Sequence, residues 1–411
     1  MSKKGRLGTP YRRSKPKNMF QPKRRSSVGM AVLRILGGIV VTVGVLALFA
    51  LVILPALNGT GVFAPTESFS LNQPLHSPNG LQTPQPTDNL QKNVSEVVLR
   101  NRNVFSPSFY GDEMIFSAGN DAAGNAKMNW IYLYDTVIRA EEERVEGIIL
   151  ENDDLMEPQF NEDYIVYLDA KRSGGAELCA YDRRTGETNR IKTIPASLPK
   201  IRFCDNMIAW VERTGTNQDK LYLYDLEQKL AVTAAVFNGS IYGSSAPGLC
   251  EGKLIWADQS LSVTEGGAEQ SVIMSLDIRS ETGQLKAYTP GMFVHNPMTN
   301  GDETIWGGEH AGSGCALYAS VNDGPPRKID DNVSQYGIGD GFAAYCKGGV
   351  LYTYSFENAV VSRLSPHGEL CSLSSVDGKR VVWMNVVEKQ AGEEVNLVDD
   401  RDIVKYADVE G

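Results

Sequence analysis

One short pattern recurs seven times between residue 105 and the end of this chain, and it limits the fold more than any other feature. Each occurrence has a turn rich in Gly, Asp and Asn, an apolar run with an aromatic residue near its end, and a second aromatic stretch that often closes on Tyr-Asp. The aromatic residues of the seven first stretches are Phe116, Tyr167, Trp210, Trp256, Trp306, Tyr345 and Trp383. They are 38 to 51 residues apart. A repeat of about 40 to 50 residues made of short strands is typical of propeller blades.

The repeats also predict the strands within each blade. The first element, as in IRFCDNMIAWVE at 201–212, has two short apolar stretches around a turn whose residues tolerate positive φ angles, so it predicts a hairpin. The second element, as in LYLYDL at 221–226, alternates with period two, as a strand with one face in a core does. Another turn and a fourth strand follow. We therefore predict an all-β fold, a seven-bladed β-propeller, with six or eight blades as the alternatives.

The seventh unit lacks a fourth strand of its own, because only three residues follow Asp408. A segment with the character of such a strand, residues 94–100, stands alone ahead of the first unit. We predict that it completes the last blade, so that the propeller spans residues 94–411. This pairing would join the two ends of the domain and cover an open sheet edge.

The combination of hairpin and following element resembles a known kind of repeat. Its most typical parts are the stretches LYLYD at 221–225 and ELCAYDRRTGE at 177–187, each preceded by a hairpin that ends in Trp or Tyr. These resemble the TolB-like and WD40-like propeller repeats of bacterial envelope proteins, over about residues 94–411. The resemblance implies the architecture and a place in the cell envelope. Seven units and the lack of a separate α/β domain depart from TolB-like proteins, so no partner is carried over.

Charge and hydropathy are segregated near the N-terminus. Residues 1–34 contain eleven Lys and Arg and no acidic residue, while residues 35–54 form an uncharged apolar run. As a helix this run would be about 30 Å long, which matches the hydrocarbon core of a bilayer. Because the positive charge precedes the run, we predict a basic cytoplasmic tail, a single transmembrane helix and a propeller on the extracytoplasmic side of the cell membrane. Residues 55–93, rich in Pro and polar residues, predict an extended linker.

The sequence contains no recognisable catalytic or metal-binding motif. Its four histidines are not spaced as zinc ligands, and it has neither a GxSxG nucleophile motif nor an EF-hand loop. We therefore predict no catalytic residue, no cofactor and no metal ligand set. The repeated aspartates are expected to accept backbone hydrogen bonds in turns, and the tryptophans to pack between blades. Cys204 and Cys250 occupy equivalent places in neighbouring units, which leaves both a disulfide and two free thiols open.

Ligand contacts are expected where the repeats differ: in the insert 260–270, in the loop 309–314 and in the acidic connection after the first unit. The candidate ligand residues there are Asp153, Asp154, Glu265, Glu309 and His310. Beyond residue 34 the chain has 29 basic residues against 50 acidic ones, which disfavours nucleic acid and suits a protein, peptide, or neutral or cationic glycan partner. We predict a binding or scaffold module. The alternative is a glycan-active envelope enzyme that uses acidic residues of several blades at the central face.

Overall fold

The computed structural model describes residues 94–97, 99, 103–119, 127–138, 141–195, 197–213, 219–237, 245–259, 271–280, 285–288, 293–309, 314–386 and 403–409. The predicted tail (1–34), transmembrane segment (35–54) and linker (55–93) lie outside these residues. Among the residues that are described, no helix has the length and apolar character needed to cross a bilayer.

The described strands all belong to seven four-stranded antiparallel sheets. In chain order they are β1 (Val94–Val97), β2 (Asn103–Tyr110), β3 (Glu113–Gly119), β4 (Trp130–Asp135), β5 (Glu143–Arg144), β6 (Asp154–Phe160), β7 (Tyr164–Ala170), β8 (Ala176–Asp182), β9 (Glu187–Ile194), β10 (Ile201–Cys204), β11 (Met207–Glu212), β12 (Lys220–Asp225), β13 (Leu230–Val236), β14 (Gly248–Cys250), β15 (Lys253–Gln259), β16 (Ser271–Asp277), β17 (Leu285–Tyr288), β18 (Phe293–Thr299), β19 (Glu303–Glu309), β20 (Ala316–Val321), β21 (Arg327–Asp331), β22 (Gln335–Gly339), β23 (Phe342–Lys347), β24 (Val350–Ser355), β25 (Val361–Arg363), β26 (Leu370–Asp377), β27 (Arg380–Val386) and β28 (Ile403–Asp408).

Six of the sheets follow the chain without a crossover: blade 1 is β2 to β5, blade 2 is β6 to β9, and so on to blade 6, which is β22 to β25. Blade 7 has the order β26, β27, β28, β1. In this sheet Val94 lies opposite Ala407 and Val97 lies opposite Val404. The strand ahead of the first unit is therefore the fourth strand of the seventh sheet.

The first strands of successive blades contact one another, and β2 contacts both β6 of blade 2 and β26 of blade 7. The seven sheets consequently form a closed ring in which the first strand of each blade is innermost. The predicted all-β, seven-bladed propeller is confirmed, and the alternatives of six or eight blades are wrong.

The repeated aromatic residues occupy the second strand of each blade and are at most 4% exposed. Four of them stack on the aromatic residue directly opposite in the third strand, as Trp210 does on Tyr222 with ring centroids 5.3 Å apart. Phe116, Trp306 and Tyr345 make the same cross-strand contact with their partners. Such pairs stabilise both the sheet and the packing between blades, which confirms the predicted core role of these residues.

The repeated aspartates shape the turns that follow the third strands. One carboxylate oxygen of Asp135 accepts the backbone N–H groups of Val137 and Ile138, at 2.8 and 2.9 Å. Asp182 and Asp225 accept the corresponding pairs of N–H groups in blades 2 and 3. These hydrogen bonds confirm the predicted turn role.

Antiparallel order gives the ring two faces. One, here called the turn face, carries the turns between first and second strands and between third and fourth strands. The other, here called the loop face, carries the connections between second and third strands and those that lead into the next blade.

Candidate functional site

The sequence-predicted ligand residues at the start of blade 2 are engaged in local structure on the loop face. Asp153 accepts the backbone N–H of Arg172 at 2.8 Å. Asp154 accepts the backbone N–H of Met128 at 3.0 Å and lies 3.1 Å from the Arg172 guanidinium. These carboxylates therefore fasten the loops of blades 1 and 2 to each other. Glu265 and His310 lie outside the described residues.

Glu309, the remaining predicted residue, belongs to a cluster with His295 and Cys315 on the loop face of blade 5. His295 lies in β18, Glu309 ends β19, and Cys315 precedes β20. The Nε2 atom of His295 is 3.4 Å from a Glu309 carboxylate oxygen and 3.6 Å from the Cys315 Sγ atom. The three ligand atoms all lie within 4.8 Å of one another. Among the described residues these are the side chains grouped closely enough to hold a metal ion.

The hairpin of β18 and β19 is built to accommodate the His295 ring. His295 lies opposite Gly307, where a Cβ atom would collide with the imidazole, so glycine is needed for close approach. Next to His295 the strand has a bulge, in which Asn296 adopts a φ of 46°. The Tyr336 hydroxyl of blade 6 accepts the Gly307 N–H at 2.8 Å and lies 3.0 Å from the His295 carbonyl, so the backbone on both sides of the ring is held in place.

Burial of the cluster favours the neutral forms of the His295 imidazole and the Cys315 thiol. Burial lowers the pKa of His295, although Glu309 opposes this shift, so the imidazole is neutral at pH 7. Burial also raises the pKa of the Cys315 thiol to about 11, with a further contribution from Glu309. The His295 side chain is 19% exposed and that of Glu309 is 47% exposed, so the cluster is open to solvent on one side.

Sequence reasoning missed His295 and Cys315 because it looked for ligands at short, motif-like spacing. The only signal was the hairpin itself: the pairing of β18 with β19 brings residues 295 and 309 to the same end of the sheet. Cys315 is added by the return of the chain into β20. No spacing rule covers such a combination.

The turn face carries a ring of carboxylates. Counted together with the strand residue on either side, every turn between a first and a second strand has at least one acidic residue, and these seven segments hold ten acidic residues against three basic ones. The ten are Asp112, Glu113, Glu162, Asp163, Asp205, Glu251, Asp302, Glu303, Asp340 and Asp377. Because first strands are innermost, these turns surround the centre of the ring.

Part of this ring joins the blades. Each of the seven junctions between neighbouring blades is bridged on the turn face by a polar contact. In order from the junction of blades 7 and 1, the contacts are Arg380 with Asp112 (3.3 Å), Arg183 with Glu113 (2.9 Å), Asn161 with Asn206 (2.6 Å), Arg279 with Asp205 (2.7 Å), Lys253 with Asp323 (3.1 Å), Asn300 with the Gly339 carbonyl (2.8 Å) and the Asp340 N–H with the Gly378 carbonyl (2.8 Å). The carboxylates used here have a structural role.

The other part of the ring faces solvent. Glu162, Glu251, Asp302 and Asp340 have exposed side chains and form no ion pair with any residue in the described part of the chain. Burial, followed by the charge of Asp340, raises the pKa of Asp377 to about 6.

The pair of cysteines that the sequence left open lies at a junction of this face. All six cysteines are free thiols. The Cys250 thiol donates a hydrogen bond to Cys204, which lowers the pKa of Cys204 and raises that of Cys250. The two side chains of blades 3 and 4 are thus in contact without a disulfide.

Solved structures with the same fold have little sequence in common with this chain. The propeller domain of the Trilobed protease from Pyrococcus furiosus, described with an open velcro topology, matches with a TM-score of 0.54 and 14% identity over 74% of this chain and 98% of that one. The acylaminoacyl peptidase of Pyrococcus horikoshii matches with a TM-score of 0.51 and 12% identity over 73% of this chain and 51% of that one. TolB from Acinetobacter baumannii matches with a TM-score of 0.36 and 14% identity over 74% of this chain and 79% of that one.

No protein-family model matches the sequence, and no curated protein matches it significantly. At identities this low, likeness in structure shows the fold alone. The chain is a seven-bladed β-propeller.

Proposed function

We propose that this protein is a binding module of the cell envelope, anchored by residues 35–54, whose propeller takes a cationic protein or peptide segment on its turn face. The observation that carries the proposal is the ring of acidic turns around the centre of that face. A partner with clustered Lys and Arg side chains is the complement of such a surface.

The exposed carboxylates of the ring contribute more to the recognition of a charged partner than to the stability of the fold. A single exposed ion pair contributes about 0 to 1 kcal/mol, so one carboxylate would not hold a partner. Several carboxylates of one sign on one face produce a field that raises the association rate and selects partners by charge. Binding of this kind weakens steeply as ionic strength rises, because the Debye length is about 8 Å at 0.15 M salt.

The test uses the four exposed carboxylates that form no ion pair with a described residue. The variant Glu162→Gln, Glu251→Gln, Asp302→Asn and Asp340→Asn keeps side-chain shape and removes four charges. We expect it to weaken binding of a Lys- and Arg-rich peptide to the full-length protein by about tenfold or more at 0.15 M salt, which corresponds to about 1.4 kcal/mol. Fluorescence anisotropy of the labelled peptide measures this change.

A matched control removes the same number of charges elsewhere. The exposed residues Glu143 and Asp331 lie on the fourth strands β5 and β21, and the exposed residues Glu146 and Glu151 lie in the connection that leads into blade 2. Their replacement by Gln or Asn should leave the affinity within about twofold of the wild type, since they lie away from the ring of turns. An equal loss in both variants would mean that net charge alone, and not the turn face, attracts the peptide.

One observation favours the glycan-active alternative. Burial and the charge of Asp340 raise the pKa of Asp377 to about 6, and a carboxyl group with a raised pKa is what glycoside hydrolysis uses as its general acid. Release of reducing ends from envelope glycan by the full-length protein, abolished in Asp377→Asn, would support the enzyme. The absence of release together with charge-dependent peptide binding would support the binding module.

A further inference from the structure

We propose that His295, Glu309 and Cys315 form a binding site for one zinc ion on the loop face of blade 5. The site is independent of the proposed peptide-binding surface, which lies on the turn face. It rests on the distances between the three ligand atoms, on their chemistry and on the rigid backbone that presents them.

The distances fit tetrahedral coordination. With zinc bond lengths of about 2.05 Å to nitrogen, 2.1 Å to oxygen and 2.3 Å to sulfur, tetrahedral angles place nitrogen about 3.4 Å from oxygen and about 3.6 Å from sulfur. The His295 Nε2 atom is 3.4 Å from the Glu309 oxygen and 3.6 Å from the Cys315 Sγ atom. A zinc ion therefore fits against these atoms without a change in these two separations.

The donor set selects the class of metal. One imidazole nitrogen, one thiolate and one carboxylate oxygen suit zinc and related transition-metal ions, whereas calcium and magnesium prefer oxygen ligands throughout. Three protein ligands leave a fourth tetrahedral position. That position can take water or a ligand atom from a partner.

The surroundings of His295 give a sharper prediction. The Asn296 Oδ1 atom accepts the Ala246 N–H at 2.8 Å, so its amide nitrogen faces the ring and lies 3.3 Å from Nδ1. The amide then donates to Nδ1, and the ring proton is on Nε2. For zinc to bind at Nε2, the ring proton has to move from Nε2 to Nδ1, and Nδ1–H then needs an acceptor in place of the amide donor. Replacement of Asn296 by Asp supplies this acceptor, while its other oxygen can still accept from Ala246.

The experiment measures zinc affinity of the full-length, reduced protein by competition with a chromophoric chelator. We expect one zinc ion per chain for the wild type. Cys315→Ser and His295→Asn should each weaken the affinity at least about 100-fold, since each removes a ligand. Asn296→Asp should raise it by about tenfold, because a carboxylate that accepts the other ring N–H of a ligating histidine changes metal affinity by about 10- to 100-fold.

Two controls and a second readout exclude indirect effects. Cys204→Ser, on the turn face, and His367→Asn, in the connection between blades 6 and 7, change the same residue types elsewhere and should leave zinc affinity unchanged. Cobalt in place of zinc should give a thiolate-to-cobalt charge-transfer band that is absent in Cys315→Ser. Thermal unfolding in the presence of a chelator checks that every variant is folded.

Three results would overturn the assignment. The first is wild-type affinity in folded Cys315→Ser. The second is an equal loss in the control variants. The third is unchanged or weaker zinc binding by Asn296→Asp, which would contradict ligation through Nε2.

Discussion

At the scale of single residues, the ionisation of Asp377 opposes folding at neutral pH. Burial and the nearby Asp340 raise its pKa to about 6, from an ordinary value of 3.8. Between these two pH values the unfolded chain loses the proton while the folded chain retains it. The contribution of Asp377 to stability is therefore full below about pH 4 and is lost as the pH rises through about 6.

The variant Asp377→Asn tests this sign, because asparagine does not ionise. We expect the free energy of unfolding of the variant, relative to the wild type, to increase by about 2 to 3 kcal/mol between pH 4 and pH 7. Urea denaturation of both proteins at a series of pH values measures this difference in unfolding free energy. The contributions of the other titrating groups are the same in both proteins and cancel. In Asp340→Asn the pH dependence due to Asp377 should move to lower pH, because the charge that raises its pKa is removed. A difference in unfolding free energy between Asp377→Asn and the wild type that does not change with pH would contradict the raised pKa.

Single residues also show where sequence reasoning works and where it does not. The core aromatics and turn aspartates could be predicted, because each performs the same local task in every blade and so repeats along the chain. His295 and Cys315 could not, because they occur in one blade only and meet through the pairing of β18 with β19 and the return into β20. A repeat reveals what the blades share, whereas a site in one blade depends on tertiary contacts.

At the scale of strands, β1 is the element on which closure of blade 7 depends. Its Val97 is 4% exposed and packs in one cluster with Val404 and Tyr406 of β28 and with Val104 of β2. β1 thus ties blade 7 to blade 1. Since every blade of a closed ring has two neighbours, loosening this contact should weaken the whole ring and not a single sheet.

Val97→Asp should therefore lower the stability of the propeller as one cooperative unit. Burying an unpaired carboxylate in an apolar cluster costs about 3 kcal/mol, which corresponds to a decrease in Tm of about 4 to 5 °C for a domain of more than 300 residues. The control Glu96→Gln changes the exposed neighbour and should shift Tm by less than about 2 °C. A separate, early transition for blade 7, with the main transition unchanged, would contradict the dependence of the ring on β1.

Not every strand follows from the repeat. A full fourth strand was expected in each unit, yet β5 contains only two residues and β25 only three. Fourth strands are outermost and bury the least apolar surface, so their length is set by local loops more than by the repeated core. The contacts between blades, such as Arg279 with Asp205, join residues far apart in the chain and leave no periodic signal in the sequence.

At the scale of the whole molecule, charge is distributed between a basic N-terminal segment and an acidic remainder. Residues 1–34 carry eleven cations, and the rest of the chain has an excess of acidic residues. Both proposed surfaces belong to the propeller. The partners they can reach therefore depend on which side of the membrane the propeller occupies. We propose the orientation with the tail in the cytoplasm and the propeller outside, on the basis of the positive-inside rule.

Reporter fusions test the orientation directly. A reporter active only outside the cytoplasm, fused after Gly411, should be active, and the same reporter fused ahead of Met1 should be inactive. The cations nearest the apolar segment are Lys23, Arg24, Arg25 and Arg34. Their replacement by Gln, with four Lys inserted after residue 57, should invert the orientation of a large share of the molecules, because cations within about 15 to 20 residues of a membrane segment determine its topology. Inactivity of both fusions in the wild type would refute the anchor and place the acidic turn face among cytoplasmic partners.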